Sequence, residues 1–218
     1  EDCIEEMATP ILRDDADAIA GGVELADEVQ SNWMTPYHRS LLASTEQIDP
    51  DRPDRIVGAN MAISNEVFDR IPGFDPELGP GQLGLGGETL LLQQMQEAGF
   101  RIETAFDVVV EHCPDRSRLA WEEWDKAAKK AGQSGAYRSY HWEHRQYSLP
   151  ALIVGWTYYT LRVWGKQLLE RGKQDRRSGM AMEEFLLRRK KYRIRQHLRE
   201  YGRTPKYDRR GLVKKVKK

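Results

Sequence analysis

Residues 84–98, Gly-Leu-Gly-Gly-Glu-Thr-Leu-Leu-Leu-Gln-Gln-Met-Gln-Glu-Ala, set one carboxylate, Glu88, where a glycine run gives way to a helical pattern. Gly84, Gly86 and Gly87 admit backbone conformations closed to other residues. Glu88 then falls in the first turn of a helix, where unpaired N–H groups favour negative charge. Such a carboxylate can serve as a base or a ligand; it can equally start a helix and do no chemistry. His112 is a second candidate. It ends a valine-rich run beside Glu111, and a histidine fixed at a sheet rim suits metal ligation or general-base work. Asp2 stands before a helical stretch, where an N-cap role competes with a ligand role. Asp2, Glu88 and His112 lie too far apart in sequence for their spacing to signal a metal site. Residues 79–84 spell G-x-G-x-x-G, but no strand leads into them and no helix opens directly from them, so they are not a dinucleotide fingerprint.

The elements that must hold these groups follow from periodicity. Residues 4–12 read as a helix with Pro10 near its end, and Ala18–Leu25 as a strand running through a glycine pair. Residues 26–54 are polar and irregular with room for one short helix, and a loop of that length tends to be functional or mobile. Residues 55–63 read as a strand and Ser64 as the cap of a short helix. Residues 72–76 form a turn cluster. Leu91, Met95 and Ala98 anchor the Glu88 helix, and residues 101–105 and 108–110 read as two further strands. Alternating strands and helices imply an α/β layered domain over residues 1–115. Residues 116–218 read as an all-helical, basic extension. In it Ser117 caps a long helix that Gly132 and Gly135 break or bend, and Tyr137–His144 forms an aromatic cluster. Pro150 opens a helix with Ile153, Trp156, Tyr159 and Val163 on one face, residues 185–201 form a basic helix, and residues 211–218 a basic tail.

The formal charge of zero conceals an asymmetry. Residues 1–112 carry 23 acidic and 6 basic side chains, whereas residues 113–218 carry 11 and 28. An acidic half suits a cation or a carboxylate-based active site, and a basic half suits phosphates, acidic lipids, nucleic acid or the acidic half itself. The tryptophans of the basic half recur at helical intervals, which points to packing rather than base stacking. Two cysteines rule out a disulfide scaffold and fit a reducing, cytoplasmic compartment. Arg162 and Lys166 cut the uncharged run 149–161 short of a membrane span, which leaves an interfacial helix at the inner face of a membrane open.

One ordered set of segments resembles a known family: residues 58–63 (Gly-Ala-Asn-Met-Ala-Ile), Val67-Phe68, Gly73-Phe74-Asp75, the glycine loop with Glu88-Thr89-Leu90, Gly99-Phe100-Arg101-Ile102, and Val110-Glu111-His112. In that order they resemble the C-terminal, acceptor-side half of a family 2 glycosyltransferase of the GT-A fold, over about residues 1 to 145. The resemblance implies a mixed sheet with helices. It also implies transfer of a sugar from a nucleotide-sugar donor to a sugar or lipid-linked acceptor hydroxyl, assisted by Mn²⁺ or Mg²⁺. Glu88 takes the place of the base that deprotonates the acceptor, while Asn60, Gly86 and Gly87 shape the acceptor site. Asp2 and His112 take places near the cation. Gly87 stands where the family has a first acid, and the nucleotide-binding units are expected before Glu1. Two other readings stand beside this one: a catalytically degenerate interaction module, and a binder of membrane surfaces or nucleic acid acting through the basic helices.

Overall fold

A computed structural model describes residues 2–79, 81–169 and 179–208. The chain divides into two compact units, Glu1–Asp75 with Gly87–Pro114, and Pro76–Gly86 with Asp115–Lys218. The expected basic tail, residues 211–218, and Glu1 lie outside the described residues.

The first unit is α/β, with a three-stranded mixed sheet in the order β2-β1-β3. β1 (Ala18–Leu25) is central and buried along almost its whole length. That is why it is built from small and apolar residues rather than from an alternating pattern. β2 (Met61–Ile63) pairs antiparallel with it through Ala18↔Ile63, Ile19↔Ala62 and Ala20↔Met61. The expected strand over 55–63 is therefore shortened to its last three residues. The Asn60 N–H donates to the Val57 carbonyl at 3.1 Å, so the chain is still turning before Met61.

β3 (Ile102–His112) runs parallel to β1 as one strand, not as the two expected. The register is Ala18↔Ile102 through Gly21↔Ala105, then resumes at Gly22↔Val109 and ends at Leu25↔His112. Residues 106–108 bulge out between the two registers. Gly22 permits this, because a Cβ there would lie 2.5 Å from the Phe106 carbonyl oxygen.

α1 (Asp2–Leu12) packs through Met7 onto Ala16, Ile19 and Val108, with Cys3, Ile11, Ala62 and Ala105 around them. The start of the sheet is tied by Arg101, whose backbone N–H donates to Asp17 Oδ2 at 2.7 Å and whose guanidinium bonds the same carboxylate. Those hydrogen bonds hold the Asp17 carboxyl below the usual range. α2 (Pro36–Leu41) is the short helix of the long loop, capped by Thr35. The Ser64 cap forms as expected, its hydroxyl accepting from the Glu66 N–H at the start of α3 (Asn65–Arg70). α4 (Gly87–Ala98) buries Leu90, Leu91, Leu92, Gln94 and Met95.

The second unit is a helical assembly, α5 (Trp121–His141), α6 (Leu149–Leu169) and α7 (Met182–Glu200), joined by the glycine loop Pro76–Gly86. Asp115, not Ser117, supplies the capping side chain: it accepts from the Ser117 N–H and opens a single turn, and α5 begins only after Ala120. Gly132 and Gly135 do not interrupt α5. Gly132 is instead the crossing point of α5 and α7. A Cβ there would lie 2.5 Å from the Arg189 carbonyl oxygen and 2.9 Å from the Arg193 nitrogen, whereas one on Gly135 would meet nothing within 4 Å. Trp124 stacks edge-on with Phe185 at 6.1 Å in this core. α6 buries Leu152 and Val163, while Ile153 and Trp156 of the expected core face stay exposed. Gly155 lies against α7, where a Cβ on it would come within 3.1 Å of Ile194 Cδ1. Among the described residues no helix is long and apolar enough to cross a membrane.

Two outcomes follow. Gly132→Ala should destabilise the chain by about 1–2 kcal/mol, because overpacking outweighs the better helix propensity, whereas Gly135→Ala should stabilise it by up to about 1 kcal/mol. Urea denaturation of both variants reads the opposite signs. His197 of α7 is buried, and burial first, then the Arg193 charge, pushes its pKa down to about 4, against the pull of Glu200. Its folded pKa lies below the unfolded value of about 6.5, so its contribution is complete above pH 6.5 and is lost as pH falls towards 4. His197→Leu should flatten that part of the stability–pH curve.

Candidate active site

Glu88 stands in the first turn of α4, half-buried. A Cβ on Gly58 would lie 3.2 Å from its Oε1, so the missing side chain at Gly58 is what leaves room for the carboxylate. No hydrogen bond or ion pair engages Glu88 among the described residues. Its helix is fixed from below by Gln94, fully buried, whose Nε2 donates to the Gly73 carbonyl at 2.9 Å. Gly73 has φ +76°, so the Gly73-Phe74-Asp75 turn requires a residue tolerant of that region. Gly86 closes the preceding loop at φ +85° and Gly87 is the first residue of α4. The loop is not loose within its own unit: Ser134 donates to the Leu83 carbonyl at 3.3 Å, Glu77 pairs with Lys206, and Lys130 lies against Gly84.

Asn60 is buried and fills the notch that Gly21 leaves. Its Nδ2 donates to the carbonyls of Gly22 at 2.9 Å and Val108 at 2.8 Å, and its own carbonyl accepts from the Gly21 N–H at 3.0 Å. A Cβ on Gly21 would sit 2.2 Å from that amide nitrogen. Both amide hydrogens of Asn60 are thus used inside the fold. The residue shapes the loop that carries Gly58 and has no side-chain donor left for a substrate.

His112 ends β3 opposite Leu25, half-buried, and its carbonyl accepts from the Ala26 N–H at 3.0 Å. Asp2 is the first residue of α1 and is exposed. The described residues contain no group of three or more His, Cys, Asp or Glu side chains that could hold a metal ion. Asp2 and His112 are two donors on separate elements, fewer than a hard divalent cation takes from an oxygen-rich set. These residues by themselves do not make the expected Mn²⁺ or Mg²⁺ centre.

Sequence reasoning passed over the polar interior of the helical unit. Arg188 bridges Glu184 at 2.8 Å and Asp125 at 3.0 Å, and its guanidinium lies 4.4 Å from the Trp121 ring centroid. Glu200 accepts from Gln196 at 2.5 Å and Arg203 at 3.1 Å and meets His141 at 3.3 Å. Burial pushes the Glu200 carboxyl up, but these hydrogen bonds and charges together bring it below its ordinary value. The signal was present in the i, i+4 spacing of Glu184 with Arg188 and Gln196 with Glu200. Nothing in the sequence marked His197. No protein-family model, curated protein or solved structure matches the chain.

Asn60→Ala should cost about 2 kcal/mol or more by leaving the Gly22 and Val108 carbonyls without donors. Asn60→Asp should cost at least as much near neutral pH, because a carboxylate would face both carbonyls with nothing to donate. Thermal denaturation of the two variants checks the order.

Proposed function

We propose that this chain is the acceptor-side part of a glycosyltransferase and that Glu88 is its base. The half-buried carboxylate of Glu88, unpartnered at the start of α4 beside the bare backbone of Gly58, carries the reading. A base needs a lone pair free to reach a substrate hydroxyl, and an acid already engaged in an ion pair would lack one. In the proposed step Glu88 takes the proton of the acceptor hydroxyl as its oxygen bonds to the anomeric carbon. The bond from that carbon to the nucleoside diphosphate breaks, with inversion. The ordered segments from Gly58 to His112 that resemble a family 2 GT-A transferase support this assignment. The α/β unit with its mixed sheet is compatible with it.

Gly87, at the place of the family's first acid, favours a second reading, a module that has lost catalysis and kept its binding surfaces. One experiment separates the two. In the protein carrying the nucleotide-binding segment that the resemblance places before Glu1, Glu88→Gln should lower turnover by at least about a hundredfold while donor affinity changes little. Release of nucleoside diphosphate from a panel of nucleotide sugars measures the first, and calorimetric titration the second. Turnover unchanged by Glu88→Gln removes Glu88 from the mechanism. No turnover with any donor favours the non-catalytic module.

A further inference from the structure

α6 uses only one side in the fold. Leu152 and Val163 are buried, but Val154 is 69 % exposed, Leu161 59 % and Trp164 60 %, with Ile153 and Trp156 beside them. The helix contains no acidic residue; its charges are Arg162 and Lys166. A face of this kind rarely stays in water. Large apolar and aromatic side chains with basic neighbours match the interfacial zone of a bilayer.

A second observation lies on the other side of the same helix. A cavity of about 290 Å³ is lined by Leu152 and Tyr159 of α6 and by Lys190, Arg193, Ile194 and His197 of α7. The four α7 residues recur at helical spacing and share one face. His197 also lines a neighbouring cavity of about 490 Å³ with Gln146, Ser148 and Arg203. His197 is 3 % exposed, yet neither ring nitrogen has a hydrogen-bond partner among the described residues. A buried imidazole that offers one donor and one acceptor to nothing is uncommon in a folded protein. Arg193 has no carboxylate partner among the described residues, and Lys190 rests 5.9 Å from the Tyr159 ring centroid.

We propose that the α6–α7 pair is a membrane-surface site. The exposed face of α6 lies in the bilayer interface, and the cavity at His197 receives the head group of an anionic glycerophospholipid. Lys190 and Arg193 meet the phosphate, and the two nitrogens of His197 meet phosphate and hydroxyl oxygens of the head group. Charge decides in favour of a lipid surface: Arg162 of α6 and Lys190 and Arg193 of α7 are basic, Lys166 of α6 is paired with Glu183 of α7 at 3.7 Å, and the cavity lining holds no acidic residue. The site does not depend on the sugar-transfer reading.

The test is co-sedimentation of the 218-residue chain with vesicles of phosphatidylcholine alone and with added phosphatidylglycerol, followed also by tryptophan emission. The chain should bind the anionic vesicles with a blue-shifted emission and bind the neutral ones weakly. Lys190→Glu with Arg193→Glu should weaken binding by roughly fivefold or more for each basic residue removed. Trp156→Gln with Leu161→Gln and Trp164→Gln, all at exposed positions, should abolish it while circular dichroism stays unchanged. His197→Leu should reduce the preference for phosphatidylglycerol over phosphatidic acid, which has no head-group hydroxyl beyond the phosphate. No binding to anionic vesicles overturns the proposal, as does binding indifferent to the charge reversal or a lipid preference unchanged by His197→Leu. Binding of free glycerol phosphate as tightly as vesicles makes the ligand a soluble phosphate and overturns the membrane site. A lipid-free dimer abolished by the α6 substitutions makes the face a contact between copies and overturns it as well.

Discussion

The architecture of the first unit rests on one side-chain amide. β3 carries three more residues than β1 can pair with, and the excess is expelled as a bulge at Phe106–Val108. A bulge leaves carbonyls without ladder partners, and Asn60 supplies the two hydrogens that Gly22 and Val108 lack. It fits only because Gly21 has no side chain and Gly22 lets Phe106 approach. The bulge sets where β3 resumes pairing, and hence that His112 ends the strand opposite Leu25. The same residue ends the turn that begins at Val57 and brings Gly58 to Glu88. A candidate base and a strand-end histidine are thus both positioned through Asn60, which itself has no hydrogen left for chemistry.

The helical unit is governed by a different constraint, the closeness of backbones at Gly132. With α5 and α7 in contact there, long charged side chains of α7 are drawn into the interior. They are accepted because Arg188 pairs with Glu184 and Asp125, and Glu200 separately with Gln196, Arg203 and His141. Removing one member would leave the others buried and unpaired, which costs far more than the pair contributes. Most of α7 is thereby committed to α5 on one side and α6 on another. α6 packs mainly on α7, and much of its apolar surface stays exposed among the described residues.

Local chemistry made several elements readable. Ala18–Leu25 was found to its ends because small and apolar residues without alternation describe a strand covered on both faces. Ser64 was identifiable as a cap because capping is settled within three residues. Glu88 at a helix start was legible for the same reason. Errors arose where the decisive partner was remote. Residues 55–58 have strand composition, but Asn60 turns them away from the sheet. Residues 101–112 looked like two strands because a bulge and a gap have the same local sequence. Gly132 resembled a helix breaker because its helical neighbour lies more than fifty residues away in the chain.

The sequence by itself determined the α/β class, the switch to helices after His112, the opposed charges of the two halves and the candidacy of Glu88. All of these depend on composition, period or contacts within a few residues. Only the tertiary structure decided that Asn60 is a clamp, that α6 turns Trp156 and Ile153 outward, and that His197 is buried with two idle nitrogens. The close approaches behind them are long-range: the Asn60 side chain at Gly21, the α7 backbone at Gly132 and the Ile194 side chain at Gly155. A glycine states in the sequence only that something can approach, and the fold chooses what does.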